Sequence, residues 1–183
     1  MKGKVVMDLK FRPLQANEIE VKVKQVKENG LVVLLYKTAR TDMDLLDETV
    51  GAENWINDYK EIKGNLYCGI AIKDETCNEW IWKWDCGIES REDEEGNEKK
   101  GEASDAFKRA GFRWGIGREL YTSPFIWIPA DKANITTGRN GKPTCNDKFC
   151  VEKIVCSEDG RRIVGLSIIN EKKRERAFVW QAK

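Results

Sequence analysis

Four cations in one short stretch are the side chains of this sequence best suited to binding chemistry, namely Lys108, Arg109, Arg113 and Arg118. Arg109 and Arg113 lie four residues apart, so they share one flank of a helix. A rigid row of positive charges can hold the phosphates of a nucleic acid. An ordinary solvated helix face is the alternative, because Asp105 lies four residues before Arg109 and could pair with it. The spacing alone leaves both interpretations open.

Catalysis finds little support in the composition. The 183 residues include no histidine, which removes the commonest general acid–base and any Ser-His or Cys-His arrangement. The carboxylates of residues 92–95 could hold a divalent cation, as in a nuclease. They lie in residues 89–101, a charged stretch without periodicity that we expect to be a flexible acidic loop, unable to fix ligand geometry. The sequence therefore predicts a binding protein without a cofactor, not an enzyme.

Six cysteines are the remaining groups that could bind a metal. Cys145, Cys150 and Cys156 have four and then five residues between them, unlike the C-x₂-C of structural zinc. Whether these three bind a metal stays open. We expect reduced thiols in a cytoplasmic protein, because the chain begins with a polar stretch instead of a signal peptide. We expect three others to be buried as small apolar side chains, namely Cys68, Cys77 and Cys86.

The cations belong to a predicted helix, residues 102–121. Its apolar stripe is small and aromatic, so the helix can lie close against a sheet. The stripe consists of Ala103, Ala106, Phe107, Ala110, Trp114, Gly117 and Tyr121. Gly111, Gly115 and Gly117 suggest a close backbone approach or a bend near the helix end.

Three strands are predicted before this helix, at residues 54–62, 65–73 and 79–86. Trp80, Trp82 and Trp84 share one face of the last strand. We expect that face to be core beneath the helix, although a row of aromatic side chains on a sheet can also stack nucleic-acid bases. Lys83 points to the opposite face, which makes it a candidate for a phosphate contact from the sheet.

Strands at both ends complete the predicted fold. A hairpin turns at Asn29-Gly30, and three more strands follow at residues 148–156, 161–170 and 176–181. Residues 130–147 are expected to form a loop, in which Arg139 and Lys142 could touch DNA or simply be solvated.

The prediction is an α+β fold, in which an antiparallel sheet with a β-β-β-α core packs on one main helix and extra β-hairpins lie at both ends. We expect a single domain over residues 1–183, with its core at about 18–128 and a hairpin region at 148–181.

The charge is segregated along the chain. The net charge is only +1, but residues 89–98 are strongly acidic while residues 99–118 and 132–148 are basic on balance. A local basic patch can bind phosphate even when the total is neutral. No apolar run reaches the length of a membrane span, so no membrane partner is expected.

The predicted helix also carries a family resemblance. The run Asp105-Ala106-Phe107-Lys108-Arg109-Ala110, then Gly115, then Leu120-Tyr121 resembles the signature helix of the Rad52/Rad22 single-strand annealing family, especially its phage and bacterial members. The resemblance covers about residues 18–128 and implies a central β-β-β-α unit. It implies that Lys108 and Arg109 line a DNA groove. Family members often place a further arginine where Phe112 stands, and here Arg113 comes one position later.

The resemblance also implies a function, which is ATP-independent annealing of complementary single strands in homologous recombination by a homo-oligomeric ring or helical multimer. Joining many copies would turn a modest patch into a continuous groove, which would reconcile the small net charge with tight DNA binding. A phage exonuclease or a single-strand binding protein is a possible partner. Three alternatives are open: a DNA-binding repair or replication accessory without annealing activity, a nuclease that uses the acidic loop, and a structural phage protein.

Overall fold

The computed structural model describes residues 9–74, 76–88 and 98–183. The chain forms two compact units. The first contains Thr38–Ile116 and the described residues up to Arg12, and the second contains Pro13–Lys37 and Gly117–Lys183. Most of the predicted acidic loop, residues 89–97, lies outside the described residues. None of the helices within the described ranges is both long and apolar enough to cross a membrane.

Strands outnumber helices in the described residues. The strands are β1 (Glu20–Lys27), β2 (Gly30–Tyr36), β3 (Trp55–Ile62), β4 (Asn65–Asp74), β5 (Glu79–Cys86), β6 (Ile126–Pro129), β7 (Ile135–Thr137), β8 (Pro143–Cys145), β9 (Phe149–Cys156), β10 (Ile163–Asn170) and β11 (Glu175–Gln181). The α-helices are α1 (Ala39–Val50) and α2 (Glu98–Trp114). All strand pairs are antiparallel, so the predicted α+β class is confirmed.

The first unit is a β-β-β-α arrangement, as predicted. β4 lies between β3 and β5, and the bounds of all three strands agree with the predicted ones to within a residue. α2 packs across β4 and β5. α1 packs against α2, and its first turn is capped by Thr38, whose hydroxyl oxygen accepts a hydrogen bond from the Thr41 backbone at 3.1 Å.

Small side chains let α2 lie close to its neighbours. Ala106, Phe107 and Ala110 are buried on the predicted stripe. The Phe107 ring meets Trp55 of β3 edge to face, with centroids 6.1 Å apart. The Trp114 indole donates a hydrogen bond to the Ile70 carbonyl of β4 at 2.9 Å. These contacts fix the helix on the sheet at both its middle and its end.

The bounds of α2 differ from the predicted ones. The helix begins at Glu98, so the last residues of the predicted loop are helical, and it ends at Trp114 instead of residue 121. Gly115 follows with φ +110°, a conformation that favours glycine. The prediction that Tyr121 continues the buried stripe is wrong, since Tyr121 lies in a separate 3₁₀ helix, Arg118–Thr122, and is 74% exposed.

The predicted burial of the tryptophan row is also wrong. The register pairs Trp82 with Ala71 and Trp84 with Gly69, on the face turned away from α2, and Trp80 and Trp82 are 38% and 37% exposed. Alternation correctly separates the tryptophans from Lys83, but it does not tell which face the helix covers. The helix covers the face on which β4 presents three buried apolar side chains, Cys68, Ile70 and Ile72.

The second unit contains a six-stranded sheet in the order β11-β10-β9-β1-β2-β6. Its hairpins β1–β2 and β9–β10–β11 confirm the extra strands expected at both ends of the chain. The first turn is shifted by one residue, because Lys27 pairs with Gly30 and Gly30 already belongs to β2. Trp127 lies so close to Gly30 that a Cβ there would come within 2.4 Å of the ring.

A small hairpin stands where the sequence predicts a loop. β7 pairs with β8, and the segment is fastened at Asp147, whose side chain is buried. The Asp147 carboxylate accepts hydrogen bonds from the Asn134 backbone and from the Asn170 amide, both at 2.7 Å. These bonds stabilise the carboxylate and anchor the base of the hairpin to β10.

Replacing Phe107 with alanine tests the packing of α2. We expect the Phe107→Ala variant to lose about 3–5 kcal/mol of unfolding free energy, because the ring is buried and its removal leaves a cavity. Urea unfolding followed by circular dichroism measures this loss. The matched control is Phe125→Ala, whose ring is 73% exposed, and which we expect to change stability by about 0.5 kcal/mol or less. Equal effects of the two substitutions would contradict the described packing.

Candidate nucleic-acid interface

Three of the predicted cations lie on the flank of α2, namely Lys108, Arg109 and Arg113. Their side chains are 26%, 38% and 59% exposed in that order, so exposure increases toward the end of the helix. β5 runs beside this flank and contributes Lys83 and Asp85 from its helix-covered face. The sheet therefore supports the helix and also determines the charges around its cations.

Asp85 is shared by two arginines. Its Oδ2 atom lies 2.9 Å from Arg113 Nε and its Oδ1 atom 3.4 Å from Arg109 Nε. Oδ1 also accepts the backbone N–H of Cys86 at 2.9 Å. The carboxylate is only 13% exposed, so it needs these partners to remain charged. It draws both guanidinium groups toward β5.

The pKa of Asp85 reflects this sharing. Burial would raise that pKa, but the hydrogen bond from Arg113, the backbone bond from Cys86 and the charges of Arg109 and Arg113 outweigh burial and hold it below its ordinary value. Asp85 is therefore ionised at neutral pH and neutralises one of its two arginines.

Arg109 is paired with Asp85 but not hydrogen-bonded through Nε. Among the described residues, its Nε is the buried side-chain atom without a hydrogen-bond partner. Arg113, by contrast, donates a hydrogen bond from Nε to Asp85. Buried donors are nearly always bonded, so this Nε is an exception, and Arg109 is held to Asp85 by charge attraction at 3.4 Å. The Arg109 side chain as a whole is 38% exposed, so part of it lies at the surface.

Lys83 and Lys108 have different surroundings. Lys83 Nζ lies 4.0 Å from the centre of the Trp114 ring and donates a hydrogen bond to the Arg113 carbonyl at 3.3 Å, where the helix end favours a cation. Lys108 Nζ lies 3.8 Å from Asp105, three residues earlier. Asp105 thus pairs with Lys108 and not with Arg109.

The other three predicted site residues lie in the second unit. Arg118 begins the 3₁₀ helix, while Arg139 and Lys142 are exposed in the turn between β7 and β8. The Asn140 side chain shapes that turn by accepting the Lys142 backbone N–H at 3.1 Å. A role for these three residues in DNA binding stays a prediction, as it does for the cations of the first unit.

Sequence reasoning missed Asp85. It shares strand parity with Lys83, so alternation could have placed the two residues on one face of β5, but not shown that α2 covers that face. We call Asp85, Lys83, Arg109 and Arg113 together the Asp85 cluster. Its three cations and one carboxylate leave a net charge of +2 on this part of the surface.

Among the described residues, the cysteines are not part of a cluster that could bind a metal ion. Within the described ranges, no three His, Cys, Asp or Glu side chains gather closely enough to hold an ion. Cys68 is buried as predicted, and burial raises the pKa of its thiol to about 11. Cys77 is exposed, which contradicts the predicted burial, because it lies in the turn between β4 and β5.

Comparison with protein families identifies the family of this chain. The model of the Rad52/22 family double-strand break repair proteins matches residues 9–137, well over half of the chain. The chain therefore belongs to the Rad52/22 family, which confirms the resemblance seen in the signature helix. Neither the curated proteins nor the solved structures contain a match. The matched range includes the Asp85 cluster, Lys108 and Arg118 and ends before Arg139.

Replacing Asp85 with asparagine tests the shared carboxylate. We expect the Asp85→Asn variant to be less stable by about 1 kcal/mol at pH 7, because both arginines lose their counter-charge. Since the folded-state pKa is lowered, this stabilisation is present above the unfolded-state value of about 3.9 and is lost as the pH falls through the folded-state pKa. Urea unfolding from pH 7 to pH 2.5 measures the difference.

The control for this substitution is Asp58→Asn, which removes an exposed carboxylate of the same sheet. We expect it to change stability by about 0.5 kcal/mol or less. A pH-independent difference between wild type and Asp85→Asn would contradict the role of the ionised carboxylate.

Proposed function

We propose that this protein binds single-stranded DNA and anneals complementary strands without ATP. Family membership implies a role in DNA repair and recombination, and proteins of this family bind single-stranded DNA and form oligomers. The observation that carries the proposal is the Asp85 cluster, which gathers Arg109 and Arg113 of the signature helix on one partly exposed surface.

The cluster suits a phosphate backbone better than a base edge. Its donors are cationic and rest on a helix and a strand, and arginine and lysine make many of the protein contacts to phosphates, which are alike in every sequence. Asp85 fixes the two arginines without cancelling both of their charges. A strand held by its phosphates keeps its base edges free to test pairing with a complementary strand. No covalent bond changes in this process, so the proposed protein is not an enzyme.

Oligomer formation is part of the proposal, because one subunit offers few cations. A ring or helical multimer would place many Asp85 clusters along one DNA strand and raise the affinity by multivalency. The net charge of the chain, +1, makes such local accumulation necessary for tight binding. The same proposal includes a phage or bacterial recombination setting, a cytoplasmic location, and an exonuclease or single-strand binding protein as a possible partner.

Removing two signature-helix cations tests the site and the activity. We expect the double variant Lys108→Ala/Arg109→Ala to remain folded and oligomeric but to lose most annealing activity, because its phosphate contacts are missing. Annealing is measured with two complementary fluorescently labelled oligonucleotides, and oligomer mass by light scattering after size exclusion.

The matched control for the annealing assay is Arg161→Ala/Arg162→Ala, which removes two exposed charges outside the family match. It should anneal like the wild type. Normal annealing by the helix variant would refute the site. Binding without any acceleration of annealing by the wild type would instead identify an accessory protein that only coats DNA.

The salt dependence of binding gives an independent test of phosphate contact. For a short single-stranded oligonucleotide, the slope of log K against log salt should become shallower by about 0.7 for each lost phosphate contact. The Lys108→Ala/Arg109→Ala variant should therefore show a slope smaller by about 1.4 per bound subunit than the wild type. Fluorescence anisotropy across a salt series measures it, and an unchanged slope would show that neither cation contacts phosphate.

A further inference from the structure

The face of the three-stranded sheet that is turned away from α2, here called the open face, carries an aromatic row. Trp80, Trp82 and Trp84 occupy alternate positions of β5 and therefore point to the same side. Trp80 and Trp82 each leave more than a third of their surface exposed. Tryptophan is usually well buried in a folded chain, so a row of exposed indoles calls for a binding role.

The central strand forms a flat support for these rings. Trp84 lies over Gly69 of β4, where a Cβ would come within 2.5 Å of the indole. Trp82 lies opposite Ala71, the next residue of β4 on this face. The Trp82 and Trp84 rings stack with centroids 5.3 Å apart and an angle of 20° between their planes. The Trp82 and Trp84 rings are thus held in place before any ligand arrives.

The charges beside the row are mostly positive. Lys60 Nζ lies 4.3 Å from the centre of the Trp84 ring, and Lys73 lies directly opposite Trp80 in the register. Asp58 is the acidic residue of β3 on this face, and its carboxylate is 3.9 Å from Lys60. The acidic residues of β5, Glu79 and Asp85, have the parity of the helix-covered face.

We propose that the open face stacks the bases of single-stranded DNA. Flat indoles match the faces of bases whatever their sequence, and Lys60 and Lys73 match the phosphates between them. Tryptophan is also enriched at protein–protein interfaces, but lysine is depleted there, so Lys60 and Lys73 favour an anionic strand over a second copy of this chain as the occupant. The inference rests on the proposed function and extends it, because it adds a base-contacting surface on the opposite side of the sheet from the Asp85 cluster.

Two probes of equal length separate base stacking from phosphate binding, an oligothymidylate and an abasic oligonucleotide with the same phosphates. The wild type should bind oligothymidylate more tightly. The double variant Trp80→Ala/Trp82→Ala should lose about tenfold or more in affinity for oligothymidylate, since stacking on an aromatic ring contributes about 1–3 kcal/mol per base. Its affinity for the abasic probe should not change. Trp80→Phe/Trp82→Phe keeps aromatic rings and should retain most of the preference for bases.

The same probes distinguish failure of this inference from failure of the proposed function. Lys108→Ala/Arg109→Ala should weaken binding of both probes alike, because it removes phosphate contacts. If only that variant has an effect, the base-stacking inference is overturned and the phosphate site stands. If only the tryptophan variant has an effect, the inference stands and the helix site is wrong. If the wild type binds neither probe, both are refuted.

Folding and assembly are checked independently of affinity. Light scattering after size exclusion gives the oligomer mass of Trp80→Ala/Trp82→Ala, and a changed mass with equal loss for both probes would assign the face to a subunit interface and overturn the inference. Should that variant not fold, photocrosslinking of the wild type to a 5-iodouracil oligonucleotide decides. Crosslinks within residues 79–86 support base contact, and crosslinks confined to other peptides refute it.

Discussion

The close contact of α2 with its neighbours is the constraint on which the rest of the first unit depends. Ala106 and Ala110 bring the helix backbone near the sheet, and Gly87 lies so close that a Cβ there would be 2.4 Å from the Glu102 carbonyl oxygen. A helix held this closely cannot rotate about its axis. Its cations therefore have a fixed direction beside β5, and the sheet can place a carboxylate next to them.

The Asp85 carboxylate shows how a surface can keep a net positive charge while the repulsion between its arginines is reduced. Unpaired arginines at this spacing would repel each other, whereas Asp85 lowers the repulsion and keeps a positive remainder. The two arginines are also unequal partners, because only Arg113 donates a hydrogen bond through Nε. Arg113 is thus held by a hydrogen bond and Arg109 by charge attraction alone.

Local patterns in the sequence were sufficient for most strands and for the middle of the signature helix, but not for the end of that helix, the β7–β8 hairpin or the mutual arrangement of the elements. The strands of the β-β-β-α unit and the signature helix follow from alternation, turns and the resemblance, because each depends on neighbouring residues. The choice of the face that α2 covers does not follow from the sequence pattern. Alternation places Lys83 and Trp82 on opposite faces, and only packing decides which of the two meets α2. Asp85 was missed for the same reason, because its partners lie 24 and 28 residues away along the chain.

Gly111 of α2 lies close to α1, and this contact limits how far substitutions at position 111 can increase the stability of α2. Alanine is the best helix former and would ordinarily gain about 1 kcal/mol over glycine. At position 111, its methyl group would come within 2.4 Å of the Asp42 carboxylate, which is completely buried. At position 111 glycine is therefore expected to be more stabilising than alanine, the reverse of their order in helix propensity. Screens for thermostable variants should keep glycine here even though it is the poorer choice for an isolated helix.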